Sequence, residues 1–229
     1  MFEIINRNLQ RIYYFLRINS IVFNSFLRNL IQNKNYNFIQ IGANDGKTGD
    51  PIFYLINLFS LKGILVEPVP YVFKKLEYNY RKNKNVFLEN SAISSASNGI
   101  EFFYLQESND SELPSWYDQI GSFNYEVLIK HKPSVKDFDK LLTSVRVNTS
   151  NFEVLLEKYK LKNFDLILID TEGYDYEIIK IIPFDKINPS VIIFEHKHLS
   201  KDEIDSAIKF LLEKNYSLFR TVDDLVFYK

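Results

Sequence analysis

Three carboxylates, Asp170, Glu172 and Asp175, stand within six residues directly after the apolar run Leu166-Ile167-Leu168-Ile169. Like charges this close repel, so stability does not account for them, whereas a cation held among them would. A sulfonium, an ammonium, a metal ion or a protonated histidine each suits that role, and one carboxylate, Asp175 first, is also placed to cap a helix. Two of the three histidines follow another apolar run, in Phe194-Glu195-His196-Lys197-His198. If strand geometry continues through them, both imidazoles face one side, where a metal could join them to Asp170 or Glu172. The favoured use is different: His196 as a general base, because an imidazole titrates near neutrality. His198 and His131 are the further candidates.

Two more strand endings complete the set. Gly42-Ala43-Asn44-Asp45-Gly46, followed by Lys47-Thr48-Gly49, is a glycine-bearing turn that lets backbone approach a ligand closely. Its spacing, G-x-x-x-G-x-x-G, lacks the middle glycine of the dinucleotide fingerprint G-x-G-x-x-G. Glu67 comes 25 residues after Gly42, where an acid can accept hydrogen bonds from both ribose hydroxyls of an adenosine. Each bond to a charged group is worth about 1.5–3 kcal/mol, so Glu67→Ala is expected to cost ligand affinity more than fold.

The elements that must position these groups are βα units around a parallel sheet. Strands are expected at 38–41, 63–66, 86–88, 166–169 and 190–194, with 100–105 pairing at an edge. Helices are expected after Asp50 and Pro51 as N-cap and first position, over Val69–Arg81, near Asn151–Lys160 and over Asp175–Ile182. A last helix opens on a Ser200/Glu203 capping box and buries Ile204, Ala207, Ile208, Leu211 and Leu212. Tyr216–Arg220 and Leu225–Lys229 read as a closing hairpin. In open sheets of this kind ligands bind beyond the carboxyl ends of the strands, which is where all four motifs fall. Residues 106–147 interrupt the rhythm with Pro114, Trp116, His131 and Pro133, and are expected to form an insertion or lid too short to build its own core.

The chain has 229 residues, 46% of them apolar, so one domain with ample core is expected, 37–229, behind an N-terminal helical cover at 1–36. Ile5, Leu9, Ile12 and Leu16 share one helical face, as do Phe23, Leu27, Leu30 and Ile31. The cover carries five basic residues against Glu3. A membrane-surface role for it is the alternative to simple core covering, which is the reading preferred. With 28 basic and 29 acidic residues, nucleic acid is not expected as a partner. The absence of cysteine removes disulfides and thiolate chemistry and suits a reducing, cytoplasmic setting. Oligomeric state and metal dependence are not readable.

Together these segments resemble one family, the FkbM-type S-adenosylmethionine-dependent methyltransferases, over roughly residues 37–200. The resemblance rests on Ile41–Gly46, Val66-Glu67-Pro68-Val69-Pro70, Asn90-Ser91-Ala92-Ile93, Ile169–Asp175 and Phe194–Leu199, with Gly121-Ser122-Phe123 leading to His131. It implies an α/β, Rossmann-like class I methyltransferase fold: a seven-stranded, mostly parallel sheet with a C-terminal antiparallel hairpin and helices on both faces. It implies S-adenosyl-L-methionine as cofactor, with Gly42, Ala43, Asn44, Asp45 and Gly46 cradling its methionine and ribose, Glu67 and Pro68 at the ribose hydroxyls, and Asn90, Ser91 and Ala92 bordering adenine. Asp170 would lie beside the transferring methyl. Many relatives carry Asp two residues before the first glycine. Gln40 stands here, leaving the methionine ammonium to Asp170 or Asp45.

The reaction the resemblance implies is in-line O-methylation of a sugar or other small-molecule hydroxyl, of the kind found in polysaccharide biosynthesis. His196 would take the proton, Asp170 or Glu172 would orient it, and Trp116, Ser122, His131 and His198 would surround the acceptor. Two competitors remain. An NAD-dependent sugar oxidoreductase or epimerase would show Tyr-x-x-x-Lys, present here as Tyr71–Lys75 but on a helix away from the catalytic strand ends. A non-catalytic scaffold on the same fold would have no need of Glu67, Asp170 and His196.

Overall fold

The protein was examined as a computed structural model, which describes residues 22–32, 34–96, 99–114 and 116–229. Near-continuous buried runs along the central strands set the architecture. Seven strands form one sheet: β1 (Asn37–Ile41), β2 (Lys62–Val66), β3 (Val86–Glu89), β9 (Leu166–Ile169), β10 (Val191–Glu195), β11 (Ser217–Arg220) and β12 (Asp224–Tyr228). Their order is β11-β12-β10-β9-β1-β2-β3, parallel except for β12, which runs antiparallel to both β10 and β11. The chain moves outward from β1 to β3 and then restarts at β9 on the other side of β1. The gap between β1 and β9 is therefore the switch point where an open sheet binds ligands. This is the α/β, Rossmann-like arrangement expected, with the reversed terminal hairpin.

Strand residues of one parity (Ile39, Ile41, Ile64, Val66, Ile167, Ile169, Ile192 and Phe194) pack under α6 (Phe152–Lys158), α7 (Asp175–Lys180) and α8 (Lys201–Glu213). The other parity (Phe38, Leu65, Leu166, Leu168 and Ile193) meets α2 (Phe53–Phe59), α3 (Pro70–Tyr80) and a helix α1 over residues 22–31. A parallel sheet needs both faces covered, and α1 helps cover the second through Phe23, Leu27 and Ile31. The first half of the expected cover, with Ile5, Leu9, Ile12 and Leu16, lies outside the described residues. No helix among the described residues is long and apolar enough to cross a membrane.

Several expectations are corrected here. Segment β5 (Ile100–Leu105) joins no edge of the main sheet. It pairs antiparallel with β6 (Gly121–Ser122) and β7 (Leu142–Val147) in a separate three-stranded sheet. The inserted unit thus begins before residue 106, because the partner of β5 lies at its far end. It also has a small core of its own, Leu105, Tyr117, Ile120, Leu128, Val135 and Phe138, around α4 (Tyr125–Ile129) and α5 (Phe138–Leu141). Phe102 and Val147 pack on Val69 and Val72 and so fix the unit against α3. A short parallel pair, β4 (Ala92–Ile93) with β8 (Thr149–Ser150), closes its base. The capping box of α8 forms as expected, but Leu212 stays largely exposed while Ala207 and Leu211 are buried. Helix α2 starts at Phe53 with Ile52 as its cap, yet the Asp50 carboxylate accepts the N–H groups of Ile52 (2.8 Å) and Phe53 (2.7 Å). The expected residue caps it by side-chain reach instead of position.

Candidate active site

A cleft open to solvent lies over the switch point, where an open sheet binds small molecules. Its floor and walls include Gln40 to Asn44, Val66 to Val69, Ser91 to Ile93 and Asp170 to Glu172, and its roof includes Asp118 to Gly121 and Phe123 from the inserted unit. At Gly42 the chain leaving β1 runs against the backbone that leaves β9. Its φ is +80°, and a Cβ there would stand 1.7 Å from the Asp170 carbonyl oxygen, so no other residue fits.

Glu67 ends β2 and is 6% exposed. Its carboxylate accepts the N–H groups of Asn44 and Val69, each at 2.9 Å, which ties the two strand endings into one wall. Burial pushes its pKa up to about 7, and the two backbone donors oppose the rise. Asn90 does not reach the cleft; its side-chain amide donates to the Glu67 (2.8 Å) and Pro68 (3.2 Å) carbonyls and holds this corner from behind. Ser91 and Ala92 do line it.

Asp45 and Gly46, expected to touch the cofactor, do not line the cleft. The Asp45 carboxylate is consumed by Lys47 N (2.8 Å), Thr48 N (2.7 Å) and Thr48 Oγ1 (2.7 Å). Gly46 lies against Leu76 and Tyr80, where a Cβ would sit 2.5 Å from Leu76 Cδ1. Both shape the turn instead of the ligand surface. Asp50 takes the place expected for Asp45 at this end. It lines the cleft and accepts a hydrogen bond from Gln40 Nε2 at 2.8 Å. Burial raises its pKa. Gln40 Oε1 and Ser91 Oγ are buried in the wall with no hydrogen-bond partner. Sequence reasoning saw only the capping role of Asp50; the usable signal was Gln40 itself, a neutral group where an acid is usual, ten residues before an acid beside another glycine.

Asp170 lines the cleft and stays open to solvent, with other carboxylates crowded around it. Burial and then the charges of Glu195, Glu172, Asp175 and Asp224 raise its pKa. Asp175 is a clamp for the turn, accepting Thr171 Oγ1 (3.1 Å) and Gly173 N (3.2 Å), and burial raises its pKa to about 6. Glu172 adopts φ of +51°, a left-handed conformation uncommon outside glycine, and Gly173 follows at +94°.

The histidines part company. Strand β10 stops at Glu195, so residues 196 and 198 do not share a face. The buried His196 is turned to the terminal hairpin: after burial, which lowers its pKa, the groups acting on its ring are Arg220, Thr221 and Asp223. It is not the cleft base that spacing suggested. His198 instead approaches Glu172, with Nε2 2.9 Å from Oε2, and Glu195, at 3.7 Å. Glu172, beside its ring, raises the His198 pKa, with burial opposing, whereas burial lowers that of His131. Burial and then Glu172 push Glu195 up to about 8. The His131 ring lies 5.7 Å from that of His198 and 5.5 Å from half-exposed Trp116.

The inserted unit is fastened to this cluster. Ser122, fully buried, donates from Oγ to the Glu172 carbonyl at 2.9 Å, and so anchors the turn without lining the cleft. Tyr71 donates to the Leu105 carbonyl (2.8 Å), and Lys75 bridges Asp118 (2.8 Å) and Glu107 (3.4 Å). The Tyr-x-x-x-Lys pair thus fastens the roof and has no catalytic placement.

The residues present fit an adenosyl ligand carrying an ammonium. Glu67 keeps free lone pairs facing the cleft, Ser91 Oγ can bond a base edge, and Gln40 Oε1 with Asp50 offers acceptors to a cation at the opposite end. The sequence model of the methyltransferase FkbM domain matches residues 40–218. Among solved structures, the chain is similar to a methyltransferase FkbM from Methylobacillus flagellatus KT, with TM-score 0.49 and 13% identity over 85% of this chain and 44% of that one. It is also similar to a precorrin-6y C5,15-methyltransferase from Geobacter metallireducens GS-15, with TM-score 0.46 and 13% identity over 92% of this chain and 88% of that one. No curated protein matches it.

Proposed function

The chain belongs to the methyltransferase FkbM domain family, and on that premise we propose that it moves a methyl group from S-adenosylmethionine to a hydroxyl of a sugar or similar small molecule. The observation that carries this reading is the Glu67 carboxylate, buried at the end of β2 and bonded to both Asn44 N and Val69 N. Two ribose hydroxyls would meet an acceptor already fixed in place, beside a turn that only glycine at position 42 permits.

Bound there, the cofactor supplies an electrophilic methyl on its sulfonium. The chain's residues do the remaining work. Asn44, Glu67 and Ser91 orient the adenosyl end, and Gln40 with Asp50 receives the ammonium. Asp170 lines the cleft and would take the acceptor's proton as the acceptor oxygen acquires the methyl. Such a base is worth about 10²–10⁴-fold, and positioning contributes more. Exposed Trp116 beside His131 offers a flat apolar surface of the kind sugar rings stack upon. The carboxylates and imidazoles nearby match the donors of a polyol, which supports an acceptor drawn from polysaccharide building. The reaction is assigned to the cytoplasm, where the methyl donor is made.

Calorimetry with S-adenosylmethionine and with NAD tests the reading. Binding of the first alone, weakened by Glu67→Gln, supports it. Binding of NAD instead points to an oxidoreductase, and binding of neither to a scaffold. A 14 Da gain on members of a sugar panel, read by mass spectrometry, identifies the acceptor class.

A further inference from the structure

Ligand-type atoms of His131, Glu172 and His198 lie within 4.8 Å of one another, as do those of Asp170, Glu172 and Glu195. His131 Nε2, His198 Nε2, Glu172 Oε2 and Glu195 Oε2 are all buried without a hydrogen-bond partner, and the His198 side chain is only 9% exposed. His198 Nε2 stands 2.9 Å from Glu172 Oε2, a separation that two ligands of one ion also adopt. Two ligands at right angles on an ion about 2.1 Å away stand about 3.0 Å apart.

Beyond the approach of His198 to Glu172 and Glu195, no hydrogen bond engages these four atoms. Asp175 closes the turn, Ser122 satisfies the Glu172 carbonyl, and the Glu172 side chain is left aimed inward from a strained backbone. Buried orphans of this kind cost stability unless something completes them. We propose that His131, Glu172 and His198 bind a divalent first-row transition ion at the edge of the cofactor cleft, with Glu195 or Asp170 as a further ligand. Two imidazoles with carboxylates suit Zn²⁺, Mn²⁺, Fe²⁺ or Co²⁺, whereas Mg²⁺ and Ca²⁺ favour oxygen alone. The charge crowded around Asp170 is then balanced by the ion. Because Asp170 and Glu172 also line the cleft, the ion stands where an acceptor hydroxyl approaches, and a hydroxyl bound to it loses its proton more readily.

The test needs neither cofactor nor acceptor. The whole chain is stripped with chelator, dialysed and titrated calorimetrically with Zn²⁺ and Mn²⁺; metal content is then measured by mass spectrometry, and nitrogen couplings by pulsed EPR of the Mn²⁺ form. One ion per chain with imidazole couplings is expected. Loss of an outer partner commonly costs about 10–100-fold in affinity, so His198→Ala and Glu172→Gln should each cost at least about 100-fold. His196→Asn should change nothing, since that ring faces the hairpin. Melting temperature and S-adenosylmethionine affinity of each variant verify that it is folded, and they test the methyl-donor site separately. Binding of neither ion, or binding that survives loss of both His131 and His198, overturns the proposal.

Discussion

The Glu67 carboxylate accepts the backbone N–H of Asn44 at 2.9 Å, so the acid that ends β2 also holds the turn that ends β1. Binding chemistry and turn geometry are therefore controlled by one titratable group. Burial raises its pKa to about 7. The folded chain holds this proton more tightly than the unfolded chain, whose carboxylate titrates near its ordinary value. The group thus favours folding fully below that ordinary value, and the benefit is lost as pH rises through about 7. The difference is worth about 3 kcal/mol. Cofactor binding has the opposite sign, because ribose hydroxyls donate to the ionised form. Affinity for S-adenosylmethionine should rise from pH 6 to pH 8, while the melting temperature falls. Glu67→Gln should flatten both trends and weaken binding about 10–100-fold, by calorimetry and thermal melting.

Gly42→Ala should be severely destabilising. The new Cβ would fall 1.7 Å from the Asp170 carbonyl at a φ of +80°. Backbone strain and overpacking each cost about 1–3 kcal/mol. A drop in melting temperature of roughly 10 °C is expected for a chain this size, with cofactor binding lost even below the new midpoint. Gly49→Ala makes a useful contrast, since nothing lies within 4 Å of its added methyl and only the cost of its positive φ remains.

Asp50→Asn keeps an oxygen to cap Ile52 and Phe53 but removes the charge. The helix cap should survive, with the melting temperature within a few degrees of the parent. Affinity for S-adenosylmethionine should fall about tenfold, roughly 1.4 kcal/mol. Binding of methylthioadenosine, which lacks the ammonium, should be unaffected. Equal losses for both ligands would remove Asp50 from this role.

Asp170→Asn should lower kcat by about 10²–10⁴ while changing cofactor affinity little. His196→Asn should leave turnover within about twofold, because its ring is directed at Arg220, Thr221 and Asp223. Steady-state kinetics on the acceptor found by the mass-spectrometric screen measure both.

Strands, the capped final helix and the closing hairpin were readable because their signals are local: parity of apolar residues, Ser200 with Glu203, and a short polar joint. Gly42, Glu67 and Asp170 were readable because strand ends in a parallel sheet converge whatever lies between. What escaped depended on contacts distant in sequence. Strand β5 finds its partner across the insertion at β7, so neither half announces the pairing. His196 and His198 look equivalent at a spacing of two, yet the strand ends at Glu195 and the following turn sends them apart. Asp50 was hidden by its capping role, and its bond to Gln40 crosses from a loop to the preceding strand.

The hydrogen bond from Ser122 to the Glu172 carbonyl ties the inserted unit to the turn after β9. His131 belongs to that unit, while Glu172 and His198 belong to the frame. The insertion therefore supplies one corner of the three-residue cluster, and a chain without it would keep the sheet and forfeit the cluster.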